Sequence, residues 1–278
     1  MSMPQSIRAQ PATRTPERHR HPVRLRRLNV ERVEQVNHAM VRLTLTGPEL
    51  EGFVSLGFDD HVKMFFPEPG EAEPVLPSVG PNGLEMPKDR KPIARDFTPR
   101  HHDPAKGELA IDFALHHDGP ASNWARSVST GDSAWIAGPR GSFVFPLDFD
   151  WHLLIADETG LPALTRRLEE LPAGTRAVAL IEIDGAEDEI ALETAAEATV
   201  AWVHRKGEPA GESRILQQSL KALILPGGDF FTWIACESRI AKELRSFLIE
   251  NRDANPKWIR ASGYWRRGAT GVHDHFDD

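Results

Sequence analysis

The residues best suited to chemistry lie between Ala94 and Phe143. Arg95 and Thr98 sit in Ala-Arg-Asp-Phe-Thr-Pro-Arg (Ala94 to Arg100), and an alternating stretch follows from Glu108 to Leu115. Gly119-Pro120-Ala121-Ser122 is a small-residue turn opening a short helix that carries Trp124. Backbone N–H groups at such a turn, added to the helix dipole, attract phosphate. A nearby arginine neutralises the same group through paired charge-assisted hydrogen bonds. The stretch therefore points to a cradle for a diphosphate cofactor. Small residues also let a ligand approach the backbone closely, while Ser122 is equally a good helix N-cap.

Three further groups carry polar side chains in suggestive places. Asp157-Glu158-Thr159-Gly160-Leu161-Pro162 is a polar turn between an apolar run and a helix, with Thr159 a candidate cap. Its single glycine gives no dinucleotide fingerprint. Cys236 ends another apolar run and reads as a buried free thiol. The pairs His101-His102 and His116-His117 point to opposite faces of a strand, so neither chelates a metal by itself. His273-Asp274-His275 reads as an exposed tail, and no metal site is expected.

The elements that position these groups change rhythm once. Residues 1–22, rich in Arg, His and Pro, lack an apolar pattern and read as a mobile tail. From residue 23 to 147 short alternating runs predict an antiparallel barrel or sandwich; they include Val41 to Thr46, Val62 to Phe66, Glu108 to Leu115 and Ser133 to Ala137. A long loop is expected from Pro67 to Pro92. From 148 to 278 strands alternate with helices, which predicts a doubly wound parallel sheet. Its strands are expected at His152 to Ala156, Ala177 to Ile183, Val200 to Val203 and Phe230 to Ala235. Helices are expected from Leu161, over Asp188 to Ala198, over Glu212 to Leu223, and over Ser238 to Glu250 with Ser238 as cap. In such sheets ligands bind beyond the carboxyl ends of the strands, where the Asp157 turn lies.

Composition narrows the class. A chain of 278 residues suits two domains. It has no apolar run of about eighteen residues and no apolar secretory core near its start, so a soluble cytoplasmic protein is expected. The single cysteine excludes an internal disulfide and a cysteine-ligated iron–sulfur cluster within one chain. A net charge of −8 argues against nucleic acid as partner.

Taken in order, the motifs resemble a known family. Arg95-x-Phe97-Thr98, the strand leading to His116, Gly119-Pro-Ala-Ser-x-Trp-Ala125, Gly138-Pro-Arg-Gly-Ser142 and Gly263-Tyr-Trp-Arg-x-Gly268 are similar to the siderophore-interacting proteins. These are FAD-dependent reductases of ferric siderophores in the ferredoxin-reductase-like superfamily. The resemblance implies an N-terminal FAD-binding β-barrel and a C-terminal nicotinamide-nucleotide-binding-like α/β domain. It implies Arg95 on the FAD diphosphate with Asp96 beside it, Phe97 against the flavin ring and Thr98 at the ring edge. His116 or His117 follows, then Gly119, Pro120, Ala121 and Ser122 on the diphosphate, with Trp124 beneath. Asp157, Glu158, Thr159, Pro162 and Trp265 would meet the nicotinamide or the flavin edge, although Trp265 could instead pack between the domains. Phe97 stands where the family usually has Tyr, His116-His117-Asp118 where it has His-Gly, with His116 favoured over His117 for the family's His, and Gly160 where it has Ala.

The function implied is electron transfer from NADPH or NADH through FAD to a bound ferric siderophore, releasing Fe(II), with no side-chain nucleophile or general base. Glu182 and Asp184 would repel a 2′-phosphate while Arg205 would bind one, so the choice of donor stays open. Many ferric siderophores are anionic, and Lys242, Arg245, Arg260, Arg266 and Arg267 are candidates for a receiving patch. The expected partner is the siderophore alone, without nucleic acid, membrane or a second subunit. A general flavin- or ferredoxin-type reductase, or a siderophore-binding protein without turnover, are the alternatives.

Overall fold

The computed structural model describes residues 14–81, 83–115, 119–269, 271 and 274–276. Strands β1 (Glu17–Arg20), β2 (Leu25–Asn37), β3 (Met40–Thr46), β4 (Val62–Phe66), β5 (Ser78–Gly80) and β6 (Gly83–Glu85) come first. They are followed by β7 (Ile93–Phe97), β8 (His101–Asp103), β9 (Glu108–Ala114), helix α1 (Pro120–Ser127), β10 (Ser133–Ala137) and β11 (Gly141–Val144). Seven of these strands form one antiparallel sheet in the order β7-β4-β10-β2-β3-β9-β8, which curls until β7 meets β9. Alternation along β3 and β9 sends Leu43, Leu45, Leu109, Ile111 and Phe113 inward, and all five are fully buried. Burial of such side chains is worth about 2 kcal/mol each. The barrel expectation is met.

The second half is the doubly wound sheet. Strands β12 (Trp151–Ala156), β13 (Arg176–Ile183), β14 (Glu197–His204), β15 (Phe230–Glu237) and β16 (Ile259–Trp265) run parallel, ordered β14-β13-β12-β15-β16. A short β17 (Asp274–His275) pairs antiparallel with β16. Helix α2 (Leu161–Glu170) covers one face through Leu161, Leu164 and Leu168. Helices α3 (Ile215–Ala222) and α4 (Ser238–Asn251) cover the other through Leu216, Leu220, Leu244 and Leu248. Covered on both faces, β12 is buried along its whole length, which is why it reads as an uninterrupted apolar run. The α2-side core continues into the barrel through Met40, Phe58 and Phe145, so the two halves share a core. No helix among the described residues is long and apolar enough to cross a membrane.

Several expectations need correction. The mobile tail to residue 22 ends too late, because β1 pairs with β11 over Glu17–Val144 to Arg20–Gly141. Just before it, the Arg14 guanidinium ion-pairs with Asp148 and Asp229 and lies over Phe149 and Trp258. Strand pairing supplies backbone partners that composition does not reveal. The long loop from Pro67 to Pro92 contains the β5–β6 hairpin. The helix expected over Asp188 to Ala198 is one 3₁₀ turn at Ala186–Asp188 followed by irregular chain and the start of β14. Neither Ser122, Thr159 nor Ser238 is an N-cap: the caps are Gly119, Gly160 and Glu237. Glu237 accepts from the backbone of Arg239 and Ile240, since its longer side chain reaches the same orphan donors. The C-terminal His275 is not a free tail residue, for its ring lies 3.2 Å from the Ser262 hydroxyl.

Gly160 matters through space rather than conformation. A Cβ there would stand 2.5 Å from the Ala235 carbonyl oxygen and 3.0 Å from the Cβ atoms of Ala156 and Ala235. Glycine thus lets the start of α2 settle against β12 and β15. Gly160→Ala is expected to cost about 1–3 kcal/mol in urea unfolding; an unchanged midpoint would show that the helix shifts freely.

Candidate functional site

The carboxyl ends of β12, β15 and β16 face the outer strands of the barrel, and between them lies a cleft of about 640 Å³. On the barrel side it is lined by Arg95, Asp96, Phe97 and Thr98 from β7 and the residue after it, and by Gly119 to Ser122 at the start of α1. On the α/β side Glu158, Thr159, Pro162, Tyr264, Trp265, Arg266 and Arg267 line it. Antiparallel pairing of β7 with β4 places Asp96 opposite Lys63, and their side chains form an ion pair of 2.6 Å. Pairing of β9 with β3 sets Asp112 opposite Arg42, which binds it through two hydrogen bonds of 2.6 and 2.8 Å. Asp112 therefore faces the cleft already neutralised.

Arg95 donates to its neighbour's carbonyl, Ala94 O, at 2.8 Å, and burial lowers its pKa from the ordinary value. It is a half-buried cation on the cleft wall. At the start of α1 Gly119 is extended and no side chain caps the first turn. Among the described residues nothing lies within 4 Å of where a Gly119 Cβ would stand. Pro120 has no N–H, so the first-turn donors are those of Ala121 and Ser122, beside open space. A cation, a helix N-terminus and a bare glycine along one cleft fit a diphosphate. Ser122 Oγ reaches the Ala114 carbonyl at 3.5 Å.

Phe97 has a double allegiance. Its ring lies 4.2 Å from that of Phe113 and 6.1 Å from that of Phe66, so it is shared between barrel core and cleft wall. The Thr98 and Tyr264 side chains are hydrogen-bonded across the domain boundary. Burial near Asp59 pushes the Tyr264 hydroxyl well above its ordinary pKa, so it stays protonated.

The rear wall is organised by Asp157, which is buried behind the lining rather than in it. Its Oδ1 accepts from Thr159 N (2.9 Å) and Thr159 Oγ1 (2.5 Å). Its Oδ2 accepts from Glu237 N (3.1 Å) and Trp265 Nε1 (2.8 Å). Three strand ends are tied to one carboxylate, and the Trp265 indole is held at the cleft edge. Glu158 is gripped by Arg205, which also contacts Glu182. Burial, then Asp157, raises the Glu182 pKa to about 8. Burial likewise pushes the Cys236 thiol up and keeps it neutral.

Other expected site residues are dispersed. Trp124 does not line the cleft; it packs on Phe66 and Phe113 in the barrel core, because its place on α1 turns it inward. His116 and His117 lie outside the described residues. The five-residue cationic patch is divided. Arg266 and Arg267 line the cleft, ion-paired to Asp274 and Glu212. Arg260 is mostly buried against Asp59 and the Phe143 ring, whereas Lys242 and Arg245 lie along α4 outside the cleft lining. Sequence reasoning missed His61, Lys63 and Asp112 as lining residues. Lys63 and Asp112 alternate with apolar neighbours on their strands, the one signal that separates cleft face from core face.

Comparison with known proteins bears on the family of this chain. Residues 29–143 match the family model described as siderophore-interacting FAD-binding domain, and 149–268 match that of the siderophore-interacting protein. The NADPH-dependent ferric-chelate reductase of Escherichia coli (strain K12) is 39% identical over 256 residues, 91% of this chain and 97% of the relative. The ferric vibriobactin reductase ViuB of Vibrio cholerae is 30% identical over 247 residues, 87% of this chain and 90% of the relative. A siderophore utilization protein from T. fusca superposes with a TM-score of 0.88 at 36% identity, covering 93% of this chain and 99% of that one.

Asp157→Asn puts an amide where four donors converge, so at least one donor pair meets an N–H. A loss of about 2–3 kcal/mol in urea unfolding is expected, and an unaltered midpoint would deny Asp157 its organising role.

Proposed function

The chain belongs to the siderophore-interacting protein family, matched over both of its halves, and from that premise we propose that it is an NADPH-dependent, FAD-containing reductase of ferric siderophores that releases iron as Fe(II) in the cytoplasm. The observation that carries the reading is a cleft whose front wall suits a diphosphate and whose rear wall holds a polar turn and an indole. Arg95 and the first turn of α1 hold the diphosphate, and Phe97 with Thr98 borders the ring system. Glu158, Thr159, Pro162 and Trp265 receive the nicotinamide donor. When bound, FAD supplies the conversion between a two-electron donor and a one-electron acceptor, Fe(III). Fe(II) binds the hard oxygen ligands of a siderophore less tightly than Fe(III), so reduction favours release. The protein's part is positioning and charge balance: Arg42 neutralises Asp112, and Lys63 neutralises Asp96, on the wall where an anionic chelate must approach. Arg266 and Arg267, ion-paired to Asp274 and Glu212 yet exposed, form the lip on the opposite side.

The first test is spectral. The purified protein should show flavin absorbance that bleaches with NADPH, and a ferrous-specific chelator should then report Fe(II) from ferric catecholate faster than free flavin or quinone is reduced. A colourless protein that takes up no FAD would favour a binding protein without turnover, and preference for quinone would favour a general reductase.

The second test concerns the lip. Arg266→Glu should raise the KM for an anionic ferric siderophore several-fold without loss of bound flavin, while Lys242→Glu on α4 leaves it unchanged. Equal effects of the two would remove the lip from the substrate path.

A further inference from the structure

One buried cluster beside the cleft remains unexplained by cofactor or substrate. Arg205 follows β14, and its backbone N–H donates to Ile183 O at 2.9 Å, continuing the β13–β14 ladder by one residue. Its guanidinium is buried and grips Glu158 with both terminal nitrogens, Nη1 lying 2.8 Å from Oε2 and Nη2 bonding Oε1. Nη1 also lies 3.4 Å from Glu182 Oε1. Glu158 lines the cleft, whereas Arg205 and Glu182 do not. As a free surface cation Arg205 would be a natural partner for a 2′-phosphate. Leaving this pair for a ligand would strand buried carboxylate charge, at a penalty that exceeds the gain from one exposed phosphate contact.

We propose that Arg205 is a positioning residue for the nicotinamide donor: it acts through Glu158, whose carboxylate it clamps into the cleft wall, and contacts no phosphate of the donor. The proposal rests on the reading that the donor seats against Glu158. Bidentate pairing fixes both the angle and the depth of a carboxylate, which a monodentate lysine does not. Charge supports the same role. Asp157, Glu158, Glu182 and Glu237 gather at this end of the sheet, all buried, with Cys236 among them, and a dinucleotide is itself polyanionic. Arg205 offsets Glu158, and burial keeps a proton on Glu182 near neutral pH. Burial opposes the charge on Arg205, but its hydrogen bonds to Glu158 together with the charges of Glu158, Glu182 and Asp157 outweigh that and raise its pKa. Arg205 thereby offsets the one carboxylate of this group that lines the cleft, Glu158.

Calorimetric titration of the FAD-loaded protein with NAD⁺ and with NADP⁺, which involves no turnover, separates the possibilities. Arg205→Lys should weaken both dinucleotides by the same factor, roughly tenfold for a lost charge-assisted bond. Glu158→Gln should do likewise, and the double variant should be no weaker than Glu158→Gln alone, since Arg205 acts only through it. Weakening confined to NADP⁺, or losses that multiply in the double variant, would overturn the proposal by making Arg205 an independent phosphate ligand. If Arg205→Lys does not fold, Glu158→Gln still decides: equal weakening of both ligands supports positioning, and NADP⁺ gaining on NAD⁺ once Arg205 is released refutes it. A wild-type protein that binds neither dinucleotide removes the donor reading itself, and this inference with it, whereas the other failures leave the reductase reading intact.

Discussion

The cleft depends on one buried carboxylate. Asp157 lies just beyond β12, and its two oxygens accept from Thr159 in its own turn, from the backbone at the end of β15, and from the indole at the end of β16. Parallel strands have no turn chemistry linking their carboxyl ends, so these ends must be joined by side chains. Each bond to an ionised acceptor is stronger than a neutral one. Together they hold the start of α2, Glu237 and Trp265 in register. Glu237 continues the chain of support by capping α4 and accepting from the Arg267 backbone. The rear wall is therefore a network rather than a set of independent side chains.

The front wall is positioned by the shared core and by polar contacts across the boundary. Arg100 forms a bidentate pair with Glu169 on α2, and Arg166 on α2 reaches Ser55 and the Pro99 carbonyl. Trp233 on β15 and Arg260 on β16 both reach Asp59. These contacts sit immediately beside Thr98, whose partner Tyr264 belongs to the other half. These contacts set the spacing of the two cleft walls, and the placing of reacting groups depends on such spacing.

Much of the fold was legible from local pattern. Alternation in β3, β9 and β10 and the 3.6-residue spacing in α2, α3 and α4 are local consequences of which face is buried, and those elements stand close to where the pattern puts them. Expectations failed where the deciding partner is distant in sequence. β1 is a strand only because β11 offers an edge, 197–199 are strand because β13 continues beside them, and Ser238 yields its capping role to a residue already fixed by the Asp157 network. Trp124 has the same identity in either role, and only the rotation of α1 against Phe66 and Phe113 sends it to the core.

The candidate site divides along the same line. Sequence alone determined the chemical types and their order: a cation and hydroxyl before a small-residue helix start, then a polar turn after an apolar strand, then an aromatic pair at the last parallel strand. Those are short-range features, and backbone geometry makes them nearly independent of context. Tertiary structure alone decided which charges face the cleft and which are consumed. Arg205 and Arg260 are spent on buried carboxylates, Arg266 and Arg267 remain at the lip, and Lys63 and Asp112 join the wall. The reason is that a charge's role is set by its burial and its partner, and both are properties of strands brought together from opposite ends of the chain.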